Sequence, residues 1–330
     1  MNTLLIKLAA EGDVLRTTPL LYGLKDKYPG AGITWLTEKN AVPVLENNDF
    51  IDEILTIGEP RSRCSLKNYY NLVINLDKDT RALKIATGLD AWEKFGFGIK
   101  GGRIVALNSG SEYAVRLGLD DELKFRRNKK TYQEVVFEQC RLRYAGQPYI
   151  LNLSERQVKF SENFLKRHKG IRRSFKIGLN TGCGPKYPKK KWTIDGFVKL
   201  ATALRNAGDT QILLLGGLRE VKRNKEIKQK IKFPVIDTGT NNSLSDFISI
   251  INCCDLVVTG DTVAMHIAIA LKKKVVALFG PTSPGEIDLY NRGIKVVSKI
   301  HCAPCYKNAC DKKPDCMSLI TADEVFNSVK

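Results

Sequence analysis

Apolar residues along this chain follow two alternating rhythms. A β-branched and leucine run at Thr3–Leu8 is closed by Glu11-Gly12, and apolar residues then recur at helical spacing from Val14 to Lys27, stopping at Tyr28-Pro29-Gly30. This predicts a strand, a tight loop and a helix. Ile33–Thr37 and Asn71–Leu76 read as further strands with helical material between them. Strands alternating with helices predict a parallel sheet covered on both faces. Between Gln157 and Lys176 the chain turns polar and basic (KRHKGIRRSFK), a composition that suits a domain end and a linker.

The rhythm then restarts. Lys176–Asn180 reads as a strand and Ile194–Ala207 as a helix, followed by a strand at Gln211–Leu215, a helix at Glu220–Lys232 and a short strand at Val235–Asp237. A helix from Ser243, a strand at Leu256–Thr259, a helix over Thr262–Leu271 and a strand at Val275–Phe279 complete the pattern. The predicted class is α/β: two doubly wound, Rossmann-like domains, at 1–165 and 166–330. In such a pair ligands are expected in a crevice at the carboxyl ends of the strands.

Composition narrows the functional classes. The 330 residues are 43% hydrophobic and 27% charged, which excludes a mainly disordered or collagen-like chain. No apolar run reaches the roughly 18 residues of a membrane-spanning helix. The start, MNTLLIKLAAEGDVL, carries Lys7 inside its short apolar core and lacks a small-residue cleavage pattern, so it reads as a first strand and not as a signal peptide. The expected location is the cytoplasm. Against 35 Asp and Glu stand 53 Lys and Arg, a formal net charge of +18 that favours an anionic partner: a nucleic acid, a phosphorylated small molecule or an acidic membrane surface. Aromatics are not interleaved with the basic runs, and no RNA- or DNA-binding signature is present, so nucleic acid is disfavoured.

Several loops carry candidate chemistry. Asp13 in Ala9-Ala10-Glu11-Gly12-Asp13 stands at a predicted helix start, as either an N-cap or a general base. The loop NTGCGPKYPKKKW, from Asn180 to Trp192, combines Gly182 and Gly184 with Lys186, Lys189, Lys190 and Lys191. It reads either as a phosphate site or as a solvated basic loop, and it matches neither the Walker nor the dinucleotide glycine pattern. Gly260-Asp261-Thr262 opens a helix after a strand, offering N–H groups and dipole to an anion. His266, one turn inside that helix, fits a satisfied structural residue. Gly280-Pro281-Thr282-Ser283-Pro284 ends the next strand on the same sheet edge. Cys64, Cys140, Cys183, Cys253 and Cys254 read as buried free thiols, as expected in a reducing compartment. Cys302, Cys305, Cys310 and Cys316, spaced C-x2-C-x4-C-x5-C, suit either four ligands of a structural zinc or a metal-free structural element.

Six segments in order, IKLAAEGDVLRTTPLL, KKKW, LLLGGLRE, GDTVAMHIAIAL, LFGPTSP and CAPCYKNACDKKPDCM with ITADEV, resemble the ADP-heptose:lipopolysaccharide heptosyltransferases, glycosyltransferase family 9. The resemblance implies a GT-B fold whose two domains face a central cleft, the first binding the acceptor and the second the nucleotide-sugar donor. It implies inverting, metal-independent transfer of heptose from ADP-heptose to an inner-core lipopolysaccharide acceptor of the lipid A–Kdo type, with no cofactor. The alternative is a related transferase with another nucleotide-sugar donor or another cell-envelope glycan as acceptor. Asp13 matches the family's base and Lys190 its phosphate-contacting lysine, with Lys191 beside it. Thr181, Glu220, Asn242, Asp261, Thr262, Val263, Ala264 and His266 match the donor site, and Gly12, Lys78 and Arg81 match the acceptor region. Exposed charges at a helix start are the other reading of Lys78 and Arg81. Val263 stands where the family's loop has glycine, which bears on how closely phosphates approach the backbone. The cysteine cluster is implied to be structural, and the enzyme to lie peripherally on the inner face of the cytoplasmic membrane, in contact with anionic lipid.

Overall fold

The computed structural model describes residues 1–60, 65–168 and 174–330. The chain forms two compact units, Met1–Asn152 and Leu153–Lys330. The first is built on β1 (Asn2–Ile6), β2 (Gly32–Thr37), β3 (Glu53–Thr56), β4 (Tyr69–Asn75), β5 (Asp90–Lys100) and β6 (Arg103–Ala106). These lie in the order β3-β2-β1-β4-β5-β6, parallel except for the antiparallel β5–β6 pair. The second unit uses β7 (Phe175–Asn180), β8 (Thr210–Leu215), β9 (Ile236–Asp237), β10 (Leu256–Gly260), β11 (Lys274–Phe279) and β12 (Gly293–Val297). Its order, β12-β11-β10-β7-β8-β9, is parallel throughout. Counted within its own unit, each sheet runs 3-2-1-4-5-6, the doubly wound order with the first strand at the centre.

The central strands are nearly continuous apolar runs because both faces are covered. Leu4, Leu5 and Ile6 of β1 and all of Leu256–Val258 in β10 are buried. In the second unit the helix Ile194–Ala207 packs Phe197, Leu200, Ala201 and Leu204 against Ile177, Leu179, Ile212 and Leu214. The C-terminal helix Ala322–Val329 adds Val325 to the same core.

Three expectations from the sequence are corrected. The domain division falls at 152/153, not 165/166. The basic stretch begins as an amphipathic helix, Glu155–Arg167, capped by Ser154 and Gln157, and its buried face docks on the helix Leu244–Asn252. Ser161 donates to the Ser249 carbonyl (2.8 Å), and Arg156 pairs with Asp246 (3.0 Å). Second, the helix expected over Val14–Lys27 is two helices, Glu11–Leu15 and Leu20–Lys27. Between them Thr17 and Thr18 turn their hydroxyls onto the carbonyls of Asp13 and Leu15, and Pro19 supplies no N–H. Third, β3, β5, β6 and β12 were not anticipated; they lie at or near the sheet margins, where alternation is interrupted by polar residues. Of the basic linker, residues 169–173 lie outside the described residues, as does Cys64.

Gly96 lets β4 and β5 close at the site end of the first sheet. It has φ +90°, and a Cβ there would meet the Asn75 carbonyl oxygen at 1.9 Å. Asn75 is fully buried and donates its amide to Phe97 O (2.7 Å). Gly96→Ala is expected to cost more than about 2 kcal/mol, and Gly30→Ala, at a positive φ with nothing within 4 Å, about 1 kcal/mol. Urea unfolding of both variants measures the difference; equal losses would show that the carbonyl contact is relieved cheaply.

Candidate active site

In an open α/β sheet the loops after the first and fourth strands leave in opposite directions, which opens a crevice at the strands' carboxyl ends. In the first unit these loops follow β1 and β4, whose ends are in register at Ile6 and Asn75. Asp77, 8% exposed, ties the two loops together. Its Oδ2 accepts from the backbone N–H groups of Leu8 (3.0 Å) and Ala9 (3.4 Å), and its Oδ1 from that of Asp79 (2.9 Å). The same Oδ2 pairs with Lys7 Nζ at 3.3 Å, and Lys7 also reaches Leu76 O at 3.3 Å. Burial opposes the Asp77 charge, but the Lys7 ammonium and the three N–H donors outweigh it and hold the carboxyl below its ordinary range.

Asp13 lies just beyond the loop that Asp77 secures. It takes the third helical position, and Ala10 is the N-cap, so the N-cap reading of Asp13 is corrected. Its Oδ2 accepts weakly from Ala10 N–H (3.4 Å) and its Oδ1 pairs with Arg16 at 2.9 Å. Its side chain keeps 37% exposure, so solvent or a substrate reaches the carboxylate. The Arg16 guanidinium lies 3.9 Å from the centroid of the Tyr132 ring, and the Tyr132 hydroxyl bonds Thr17 at 2.7 Å. Burial raises the Tyr132 pKa above the ordinary phenol value. Lys7 is held above its ordinary range: burial alone would lower it, but Tyr132, Asp13 and Asp77 act in the other direction. Sequence reading missed Lys7, Arg16, Asp77 and Tyr132 as site residues. A charge at the end of an otherwise apolar first strand was the signal for Lys7.

The second unit repeats the arrangement. After β7, Thr181 is buried and spends its hydroxyl on Asn224 Oδ1 and Leu215 O, so its side chain shapes the loop. Asn180, at the end of β7, donates to Thr259 (3.0 Å) and Thr262 (3.2 Å), joining the ends of β7 and β10. Glu220 is buried at 4% exposure and pairs with Lys191 at 2.8 Å. Its other oxygen accepts from Gly217 N–H at 3.2 Å. Gly182 faces this carboxylate so closely that a Cβ would stand 2.6 Å from it. Lys190 Nζ bonds the Asp261 carbonyl and lies 3.6 Å from its carboxylate. The chain passes so near β10 that a Cβ at Gly260 would meet Lys190 O at 3.0 Å.

Thr262 caps the helix Val263–Ala270 with extended backbone. Val263 and Ala264 are its first two residues, where N–H groups have no acceptor within the helix. Val263 is therefore ordinary right-handed helix, and the glycine of the family's loop is not needed here for a left-handed backbone. Its side chain, not its backbone conformation, is what the substitution adds. His266 is 4% exposed and its Nε2 stands 4.0 Å from Asp261 Oδ1. Thr181, Lys190, Lys191, Glu220, Asp261, Thr262, Val263, Ala264 and His266 thus gather around the ends of β7, β8 and β10.

Other expected residues are engaged elsewhere. Asn242 closes a turn after β9, donating to the carbonyls of Thr238 (3.0 Å) and Gly239 (3.1 Å). Arg81 is held by Asp79 (2.9 Å) and Glu38 (2.6 Å), which compensate its charge. The Lys78 ammonium sits 4.8 Å from the Phe97 ring centroid and reaches Ala114 O at 3.5 Å. Gly12 is buried in the helix that carries Asp13. Cys140, Cys183, Cys253 and Cys254 are buried free thiols. Cys302, Cys305, Cys310 and Cys316 are free as well, and among the described residues no three His, Cys, Asp or Glu side chains group as a metal requires. The zinc reading is therefore not supported by the side-chain geometry. The segment serves instead as a brace: Cys305 and Tyr306 donate N–H to Pro281 O, and the Tyr306 ring meets Tyr187 of the basic loop edge-on at 5.7 Å.

Residues 61–315 match the model of glycosyltransferase family 9 (heptosyltransferase). The chain belongs to this family and is a glycosyltransferase. It is 26% identical to lipooligosaccharide heptosyltransferase 2 of Haemophilus influenzae, over 86% of this chain and 84% of that one. Among solved structures it resembles a family 9 glycosyltransferase from Veillonella parvula, with TM-score 0.76, 19% identity and coverage of 99% and 96%. It also resembles E. coli ADP-heptose LPS heptosyltransferase II, with TM-score 0.68, 20% identity and coverage of 100% and 97%. These likenesses bear out the expected α/β fold of two Rossmann-like domains, the composition of GT-B enzymes. No helix among the described residues is long and apolar enough to cross a membrane.

The Asp77 carboxyl titrates lower in the folded protein than in the unfolded chain, where its value is about 3.9. Its stabilisation is therefore present above that value and lost as pH falls through the folded one. Unfolding free energy followed from about pH 5 downward should decline less steeply in Asp77→Asn than in the wild type. Parallel curves would remove Asp77 from the acid response.

Proposed function

We propose that this enzyme transfers heptose from ADP-heptose to an inner-core lipopolysaccharide acceptor of the lipid A–Kdo type, with inversion and without a metal ion. The observation that carries the reading is the cationic, helix-capped end of β7 and β10 in a family 9 chain. Lys190, Lys191 and the first N–H groups of the helix Val263–Ala270 supply positive potential where a diphosphate needs it. The names of its relatives in Haemophilus influenzae and E. coli support heptose as the sugar and ADP as the carrier.

In this reading Asp13 accepts the proton of the acceptor hydroxyl as that oxygen bonds the anomeric carbon. The bond from the anomeric carbon to the diphosphate oxygen breaks, and ADP leaves with the electron pair. Attack opposite the leaving group inverts the centre. Lys190, Lys191 and the helix start stabilise the charge growing on the diphosphate, the task a divalent ion performs in metal-dependent transferases. Glu220 accepts from the donor ribose and Asp261 meets the donor sugar, with Thr181, Thr262, Val263, Ala264 and His266 shaping the pocket. Asn242, close to the adenine in this reading, acts through the turn it closes. The first unit takes the acceptor, with Gly12, Lys78 and Arg81 near it. Arg81 would then exchange a carboxylate partner for an acceptor anion. The +18 charge suits peripheral contact of a cytoplasmic enzyme with anionic lipid at the inner membrane face, and no nucleic acid is involved.

ADP release from ADP-heptose, with a heptose-deficient lipid acceptor, tests the reaction. Asp13→Asn should lower turnover by about 10²- to 10⁴-fold and leave ADP affinity intact, and EDTA should leave the wild-type rate unchanged. Binding of ADP without turnover on this acceptor would redirect the reading to another acceptor, and failure to bind ADP would redirect it to another donor. Gly182→Ala pushes the Glu220 carboxylate from its place and should weaken ADP binding by about tenfold, roughly one charge-assisted hydrogen bond, in a calorimetric titration. Unchanged affinity would take Glu220 out of the ribose contact.

A further inference from the structure

Lys7 is a cation at 8% exposure just after β1, at the carboxyl end of the apolar central strand. A buried ammonium is costly unless compensated, and here the compensation is specific. Its Nζ lies 3.3 Å from Asp77 Oδ2 and 3.3 Å from Leu76 O, at the point where the chain leaves β1 and β4. The Asp77 oxygen that pairs with Lys7 also holds the N–H groups of Leu8 and Ala9, one residue before the N-cap of the Asp13 helix. Asp13 pairs with Arg16, which stacks on Tyr132. Lys7, Asp77, Asp13 and Arg16 therefore form a run of opposite charges, and Tyr132 packs on Arg16 from the helix Tyr132–Gln139. A cation that served only to end a strand would not need to share its field with Asp13, one of the charges that hold Lys7 protonated.

We propose that Lys7 is a positioning residue for glycosyl transfer: with Asp77 it holds the loop that presents Asp13, and its buried charge keeps the Asp13 carboxylate ionised and ready to accept the acceptor's proton. The proposal rests on Asp13 being the base. Lys7 touches no substrate in this scheme and acts through Asp13. The positive charge of Lys7 favours the ionised Asp13 carboxylate and the release to solvent of the proton it takes from the acceptor. Without Lys7 the loop loses the ammonium that pairs with Asp77, and Asp13 binds protons more readily.

Among the groups around Asp13 are Arg16 on its own helix, Lys7 just after β1, Asp77 after β4 and Tyr132 on the helix Tyr132–Gln139. Removing the Lys7 charge should raise the Asp13 pKa, and removing the Asp77 charge should lower it. The experiment is the pH profile of kcat/KM in the ADP-release assay for the wild type, Lys7→Gln, Lys7→Arg and Asp77→Asn, with thermal melting and ADP affinity of each. The acidic limb should move up by about one pH unit in Lys7→Gln, return toward the wild-type position in Lys7→Arg, and move down in Asp77→Asn. ADP affinity should stay constant, and kcat/KM of Lys7→Gln should fall by about tenfold on the acidic limb, where one pH unit is tenfold in the ionised fraction, with a smaller loss near neutral pH.

Loss of activity in Lys7→Gln with an unmoved acidic limb and no recovery in Lys7→Arg would make Lys7 merely structural and overturn the proposal. If Lys7→Gln does not fold, the Arg and Asn variants decide: limbs shifted in the same direction, or an Asn limb that does not move down, overturn it. Asp13→Asn separates the two readings. If that variant stays active, the base assignment fails and the Lys7 proposal with it. If that variant is inactive and the Lys7 variants keep the wild-type profile, only the Lys7 proposal falls.

Discussion

Both units depend on the same constraint: two parallel strands at the centre of a sheet whose crossovers diverge. Right-handed crossovers carry the chain from the first strand to one side and from the fourth to the other, so the loops at their carboxyl ends are left without a covering element. Backbone N–H groups and side chains that would elsewhere be buried face an opening there. The Asp13 loop and Asp77 occupy this position in the first unit, and Thr181, Lys190 and Asp261 occupy it in the second.

Such loops carry charge that the adjacent core cannot tolerate uncompensated. Each unit answers with short chains of opposite charges anchored on backbone groups. In the first, Lys7, Asp77, Asp13 and Arg16 bind one another and the carbonyls and amides at the strand ends. In the second, Lys191 pairs with buried Glu220, and Lys190 with Asp261. These pairs keep the cationic side chains in place before any ligand arrives, so less side-chain entropy is lost on binding. They also set a threshold, since any anion that binds there must offer Lys190 and Lys191 better partners than the carboxylates they already hold.

Packing of the second unit's margin has a comparable role. Gly280 faces Met317 and Cys316 so closely that a Cβ would stand 2.6 Å from the methionine sulfur. This brings the cysteine-rich segment onto the end of β11, from where Tyr306 reaches Tyr187. Trp192, at the other end of the basic loop, donates to Ile320 O at 2.9 Å and packs on Phe197. The basic loop is thereby held at both ends by residues far away in sequence.

Much of this was legible in the sequence, and physical reasons separate what was from what was not. Strand and helix periodicity, the two αβ repeats, and the loops at Asp13, Lys190 and Asp261 are local properties: apolar spacing, turn residues and charge at a helix start follow from neighbouring positions alone. The domain division was misread because the basic face of Glu155–Arg167 is solvated, and only its contact with Leu244–Asn252 reveals which unit owns it. Asp13 was seen, but its place at the third helical position depends on the loop that Asp77 holds, 64 residues further along the chain. Lys7 and Asp77 look like an interrupted strand and a loop acid in the sequence, and only register between β1 and β4 makes them a pair. The cysteine spacing suggested ligands, yet spacing along a chain does not determine convergence in space. Pairing across the sheet decided which charges meet, because contacts between distant segments are set by packing and register and not by local propensity.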